Sequence, residues 1–163
     1  MGSSKIMDKI QITSKSDLET KLLGKIVSKY LTVGDIVFLN GDLGAGKTKL
    51  VEGISEGLES PQTTKSPTFV LTHEYEGKIK IYHCDLYRIK SELEAIDLNI
   101  EEKLENGIVI IEWPEIAKSI LPSPSIEMYL SHCENDNYRK IIIHNYKDME
   151  IEEINGEFNK LLF

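Results

Sequence analysis

An α/β fold of three layers, built on a mixed and partly parallel central sheet, is what this sequence predicts. Three observations predict it. Two short apolar runs, Ile36-Val37-Phe38-Leu39 and Ile108-Val109-Ile110-Ile111, read as strands buried on both faces, as parallel strands are. Strand-like and helix-like stretches are interleaved along the chain. After the first apolar run, and before a helix-like stretch, stands Gly41-Asp42-Leu43-Gly44-Ala45-Gly46-Lys47-Thr48. That string matches G-x-x-x-x-G-K-[ST], the phosphate-binding loop of nucleoside triphosphatases, in the strand–loop–helix setting the motif requires.

Each element has its own local reason. Residues 1–8, opening with Met1-Gly2-Ser3-Ser4, read as a disordered tail. Lys9 to Thr13 alternates apolar and polar, the pattern of an edge strand. Ser16-Asp17-Leu18-Glu19 is a capping box that starts a helix near Asp17. Leu22, Leu23, Ile26 and Val27 carry that helix to about Tyr30, before the break at Gly34. A second helix over Lys49 to Leu58 gathers Leu50, Val51, Ile54 and Leu58 on one face. Pro61 to Pro67 is a polar loop. Phe69 to Tyr75 and Ile79 to Cys84 read as strands joined by a turn at Glu76-Gly77-Lys78. Short helices follow at Ser91 to Ile96 and Ile100 to Glu105, stopped by Asn106-Gly107. Ser125 to Ser131 and Tyr138 to Tyr146 are strands around the polar turn Glu134-Asn135-Asp136-Asn137. Asp148 to Leu162 closes the chain as a helix. Repeats, linkers and low-complexity stretches are absent, so residues 1–163 read as one domain.

Composition narrows the function classes. A hydrophobic fraction of 40% and a charged fraction of 28% describe an ordinary globule. The formal net charge is −8 and lysine and arginine form no run, which argues against strong direct binding of nucleic acid. No apolar stretch approaches the ~18 residues that span a bilayer, and no apolar signal segment opens the chain. Cys84 and Cys133 lack metal-ligand spacing and read as two reduced thiols. A cytoplasmic protein is expected.

The chemistry lies in the loop and at two strand ends. Glycines let the backbone wrap tightly, so that several N–H groups point at one anion. The helix that follows adds about half a positive charge at its N-terminus. Lys47 is placed to reach the β- and γ-phosphates, and the Thr48 hydroxyl to hold Mg²⁺. Lys49 extends the nucleotide-binding stretch. Asp85 follows one apolar strand and Glu112 follows another. A carboxylate at such a strand's C-terminal end faces the phosphates, where it binds Mg²⁺ or positions the attacking water. Mg²⁺ is commonly held by one or two carboxylates plus phosphate oxygens and water, so two candidates is a sensible number. Taken alone, each acid reads equally well as a strand-end residue in a turn. His83 reads either as a proton carrier or as a ring packed near Trp113 or Tyr87. Arg88 reads as a structural or partner-facing residue more readily than as a transition-state finger. Trp113 packs near the site, and the acids from Asp148 to Glu157 form a solvated helix face. Ser14-Lys15-Ser16-Asp17 faintly matches the guanine-reading N-K-x-D, yet it precedes the phosphate loop, so ATP is favoured over GTP.

Four strings occur in order: the loop Gly41 to Thr48, Lys65-Ser66-Pro67-Thr68-Phe69, Tyr82-His83-Cys84-Asp85-Leu86-Tyr87-Arg88, and Ile111-Glu112-Trp113. The series resembles the TsaE (YjeE) family, small bacterial ATPases of tRNA threonylcarbamoyladenosine biosynthesis. The likeness runs from about Ile10 to Tyr146. It implies ATP and Mg²⁺ as cofactors, with Glu112 at the metal and Asp85 beside the γ-phosphate. It implies that Ser66-Pro67-Thr68 lies on a switch-like loop, with Thr68 near the nucleotide. It also implies that the Ser16 and Tyr138-Arg139 regions close on the adenine side. Family members act with a TsaD-like transferase and its TsaB-like companion, so tRNA is met only through that complex. Two positions depart from the family pattern. Lys49 stands where threonine or serine is usual and is expected to face away from the metal. Asp97 stands near a usual glycine and is expected to serve as a left-handed helix stop. A small-molecule or nucleoside kinase, and a nucleotide sensor without catalysis, are the competing readings.

Overall fold

The computed structural model describes residues 6–61 and 71–162. The elements run β1 (Asp8–Ser14), α1 (Asp17–Ser28), β2 (Ile36–Asn40), α2 (Lys47–Gly57), β3 (Thr72–Tyr75) and β4 (Lys80–Asp85). They continue α3 (Glu92–Ile96), α4 (Ile100–Leu104), β5 (Gly107–Glu112), a 3₁₀ turn (Pro114–Ala117), β6 (Ile126–His132), β7 (Arg139–Asn145) and α5 (Ile151–Leu161). The strands form one seven-stranded sheet in the order β1-β7-β6-β2-β5-β4-β3. At its centre β2 pairs in parallel with both β5 and β6, and β4 pairs in parallel with β5. Antiparallel pairing of β1 with β7, β6 with β7 and β3 with β4 completes it. The sheet is therefore mixed, as expected, and the two fully apolar runs are neighbouring parallel strands at its centre.

Alternation along the central strands divides the core in two. Val37, Leu39, Ile108 and Ile110 pack with Leu23, Ile26 and Val27 of α1, Leu50 and Ile54 of α2, and Phe158 of α5. Ile36, Phe38, Val109 and Ile111 pack the other way, with Ala95 of α3 and Ile100 of α4. These are the three layers. On the first face α1 and α2 lie almost backbone to backbone. A Cβ placed on Gly53 would collide with the Lys21 carbonyl oxygen, and one on Gly24 with that of Leu50.

Local chemistry explains the boundaries. Ser16 caps α1, its Oγ accepting from the Glu19 N–H at 3.1 Å, while Glu19 reaches back to accept from the Lys15 N–H. The α2 helix starts at Lys47, two residues before the apolar periodicity, because left-handed Gly46 (φ 106°) turns the chain directly into it. Asp8 belongs to β1 opposite Asn145, and Met7 N–H donates to the Asn145 carbonyl at 2.7 Å. The ladder thus takes in the end of the stretch read as a tail. Asp97 is right-handed (φ −68°); the left-handed residue is Asn99 (φ 51°), two positions later. Asparagine tolerates that region better than most residues. Trp113 is left-handed too (φ 57°) and opens the 3₁₀ turn, which no periodicity announced. The segment 62–70, with Thr68 and the start of the strand expected at Phe69, lies outside the described residues. Among the described residues no helix is long and apolar enough to cross a membrane.

The fold brings the C-terminal ends of β2, β4 and β5 to one edge. Leu39 lies opposite Glu112, and Asp85 lies opposite Glu112 on the other side. The glycine loop leaves β2 at that same edge.

Candidate nucleotide site

Three glycines shape the loop, with φ of 152° at Gly41, 79° at Gly44 and 106° at Gly46. A side chain is strained in that region. A Cβ on Gly41 would also sit 2.5 Å from the Leu130 carbonyl oxygen, so the loop is pressed directly onto β6. Asp42 supplies a carbonyl to the Ala45 N–H at 3.1 Å, which closes the turn, and Ala45 is buried beneath it.

Lys47 opens α2 and is only 5% exposed. Its Nζ donates to the Gly41 carbonyl at 2.5 Å and lies 3.9 Å from the centre of the Trp113 ring. Burial pushes its pKa below the ordinary lysine value, and the negative charges of Glu112 and Asp85 pull it partly back. Trp113 is itself braced by Tyr87, ring centres 5.0 Å apart.

Asp85 ends β4, half-buried, with the Tyr87 N–H donating to its Oδ1 at 2.9 Å. Burial pushes its pKa up against that hydrogen bond, and the nearby Glu112 charge adds to the rise. Glu112 ends β5 at 3% exposure, and its Oε2 is 2.6 Å from Nε2 of fully buried His83. The partners of His83 therefore differ from the expected Trp113 and Tyr87. Its ring centre lies 6.5 Å from that of Tyr75, and its partner is the Glu112 carboxylate. This contact was missed in the sequence, although a signal existed. His83 and Asp85 sit two apart on one strand and share a face.

A cleft of about 320 Å³ joins these groups. Leu43, Gly44, Gly46, Lys47, Thr48, Lys49, Asp85, Glu112, Trp113, Asp17 and Arg139 line it. Lys49 is at its wall, paired with Glu52 at 3.2 Å. Arg139 reaches it from the start of β7, donating from Nη2 to the Gly44 carbonyl at 3.2 Å and from Nη1 to the Tyr138 carbonyl at 2.8 Å. Ser16 does not line this cleft. Its hydroxyl caps α1, and it lines a second cleft with Lys15, Asp17, Asp136, Asn137 and Arg139. The two clefts share Asp17 and Arg139.

The donor set suits a magnesium-bound polyphosphate. A buried ammonium with one hydrogen-bond acceptor, a positive-φ glycine loop and a helix N-terminus converge on one concavity. Among the described residues no group of three or more His, Cys, Asp or Glu side chains could hold a metal ion. Mg²⁺ needs no such cage, because Thr48, Asp85 and Glu112 would share it with phosphate oxygens and water. Cys84 stays apart from this chemistry. Burial pushes its thiol up to about 11, and both Cys84 and Cys133 are free.

The family model described as "Threonylcarbamoyl adenosine biosynthesis protein TsaE" matches residues 14–141. The chain belongs to the TsaE family. The match takes in the loop, both strand-end acids and Arg139, and leaves out α5. The "tRNA threonylcarbamoyladenosine biosynthesis protein TsaE" of Rickettsia conorii is 43% identical over 138 residues, covering 83% of this chain and 79% of that protein. The protein of the same description from Bacillus subtilis is 34% identical over 146 residues, covering 86% and 90%. The crystal structure of Bacillus subtilis YdiB superposes with a TM-score of 0.75 at 25% identity, covering 98% of this chain and all (100%) of that one. This TsaE-family chain thus has a P-loop fold and takes part in tRNA threonylcarbamoyladenosine biosynthesis.

Proposed function

We propose that this chain is an ATP hydrolase that serves, rather than performs, threonylcarbamoyl transfer to tRNA. The observation that carries the reading is the meeting of Lys47, Asp85 and Glu112 in the cleft that the glycine loop opens. The loop amides and Lys47 bind the β- and γ-phosphates of ATP. Thr48, Glu112 and Asp85 would hold Mg²⁺, directly or through water, and the ion would supply neutralisation of phosphate charge. The acid that is not a direct ligand orients the attacking water. Lys49 borders the phosphates. Arg139, with Asp17, stands where the phosphate cleft meets the cleft beside Ser16, a suitable place for the nucleoside end.

Turnover by the lone subunit is slow on this reading. The Arg139 guanidinium is spent on the carbonyls of Gly44, Asp136 and Tyr138, so it braces the loop instead of reaching toward a γ-phosphate. Lack of such a donor costs ~10³-fold or more in rate. A TsaD-like transferase with its TsaB-like companion supplies what is missing, in the cytoplasm, and tRNA is engaged through that complex.

ATP hydrolysis measured for the chain alone and with the partner pair, alongside pull-down under ATP, ADP and no nucleotide, tests the proposal. Nucleotide-dependent association with a sharp rise in phosphate release supports it. Stoichiometric phosphorylation of a nucleoside or sugar would instead make the chain a kinase. Continued tRNA modification by a variant that binds but cannot cleave ATP would reduce it to a sensor.

A further inference from the structure

Glu112 is held by a residue that the phosphate-loop motif does not account for. His83 and Asp85 sit two apart on β4 and face the same way. β4 runs parallel to β5, with His83 opposite Ile110 and Asp85 opposite Glu112. The His83 ring leans one step along β5, which puts Nε2 2.6 Å from Glu112 Oε2. His83 is 0% exposed and Glu112 3%, so no bulk water competes for the contact.

So short a contact needs a proton between the two atoms. With the proton on Nε2, the ring donates to the carboxylate and Nδ1 is left as a bare acceptor. Nδ1 is indeed buried without a hydrogen-bond partner. An unsatisfied buried acceptor costs ~1–3 kcal/mol. A ring that served only to fill space between the strands would be better replaced by an apolar side chain, which carries no such cost. The arrangement makes sense if the bond to Glu112 has a use of its own.

We infer that His83 is a positioning residue for Glu112 at the metal. By engaging Oε2 it fixes the carboxylate and leaves Oε1 to serve the cleft that Glu112 lines. Lys47, in the same cleft, feels the Glu112 charge more strongly than any other, so the placement of this carboxylate also steadies the ammonium. The inference rests on the reading of Glu112 as a metal-site residue. Partners that orient a ligating group typically cost 10–100-fold in metal affinity or activity when removed, a range that is about what is expected here.

The test is a Mg²⁺ titration of the ADP complex, followed by calorimetry and by the fluorescence of Trp113, the single tryptophan of the chain. His83→Leu is expected to weaken Mg²⁺ about tenfold or more, with Mg²⁺-free ADP affinity unchanged. His83→Gln keeps an N–H donor of similar reach and is expected to recover most of the loss. His83→Asn is too short and is expected to behave like the leucine variant. The Gln and Asn pair carries the test should the leucine variant fold poorly. Unchanged Mg²⁺ affinity in His83→Leu or His83→Asn overturns the inference. So does an equal loss in all variants accompanied by weaker Mg²⁺-free ADP binding, since that pattern marks a packing role. Glu112→Gln in the same titration separates the two claims. If it leaves Mg²⁺ affinity intact, the metal role of Glu112 fails and the His83 inference falls with it. If it weakens Mg²⁺ while His83→Leu does not, only the His83 inference fails.

Discussion

Replacing Lys47 with methionine should move stability and nucleotide affinity in opposite directions. Lys47 is 5% exposed, and its nearest partners are a carbonyl at 2.5 Å and an aromatic face at 3.9 Å. No ion pair joins it to a carboxylate among the described residues. Burial is the largest influence on its pKa and lowers it from 10.5, ahead of the opposing pull of Glu112 and Asp85. The sign follows directly. A lysine whose folded pKa is depressed carries a penalty in its charged form, present in full at neutral pH. That penalty fades as pH rises through the folded value toward 10.5, the unfolded one. Methionine has nearly the same shape and no charge. The nucleotide-free variant should therefore melt at or above the wild-type temperature at pH 7. Single stabilising substitutions commonly gain ~0.5–2 kcal/mol, and each kcal/mol is worth ~2–4 °C for a chain of this size. ATP affinity should fall. Hydrogen bonds to charged groups are worth ~1.5–3 kcal/mol each, and one each to the β- and γ-phosphate gives a loss of about 3 kcal/mol or more. That corresponds to ~100-fold or more in Kd. Thermal melts in EDTA between neutral pH and about 10, paired with calorimetric ATP titration, measure both halves. A variant that melts several degrees below wild type, or that keeps wild-type ATP affinity, would refute the reasoning.

Three further outcomes are expected. Glu112→Gln should lower ATP turnover ~10²–10³-fold and weaken Mg²⁺ in the nucleotide complex about tenfold or more while Mg²⁺-free ATP affinity stays within a few-fold, read by phosphate release and calorimetry, because its charge acts on the metal and on the developing transition state. Asp85→Asn should stabilise the metal-free, nucleotide-free protein at neutral pH. Burial raises the pKa of Asp85 above 3.8, so its ionised form is penalised, and melts at falling pH should show the gain shrinking through the raised pKa and vanishing below 3.8. Gly53→Ala should destabilise by ~1–3 kcal/mol in urea denaturation, since its Cβ meets the Lys21 carbonyl and must part α1 from α2.

The elements were legible where one local rule decided them. The capping box placed Ser16 before α1, and the apolar runs placed β2 and β5. The chain order of elements could not give the strand order, because β6 returns to pair with β2 from across the sheet and β7 then turns back beside it. For that reason Arg139, nearly a hundred positions from Gly44 (|i−j| = 95), reaches the loop by a route that no spacing reveals. Ser16 shows the opposite limit. Its position near the nucleotide end was expected, but its Oγ caps α1 and it lines the neighbouring cleft instead of the one at the glycine loop.

The candidate site stood out in the sequence for a different reason: its residues oppose the stability of the fold. Lys47 is a buried cation with its pKa driven down, and Asp85 is a half-buried acid with its pKa driven up. Glu112 is buried, its carboxylate bonded to a histidine whose Nδ1 is left unpaired. A chain selected for packing alone would fill those positions with apolar residues, as it does at Ile81, Ile108 and Ile110 earlier on the same strands. The change from Ile108-Val109-Ile110-Ile111 to an acid at the tip of β5 is therefore itself a signal. An anion with a divalent cation balances the set: it meets the ammonium and gives the carboxylates a positive charge to share. On the proposed function, the burial of Lys47 and Asp85 is costly to the empty protein and is offset when a nucleotide binds.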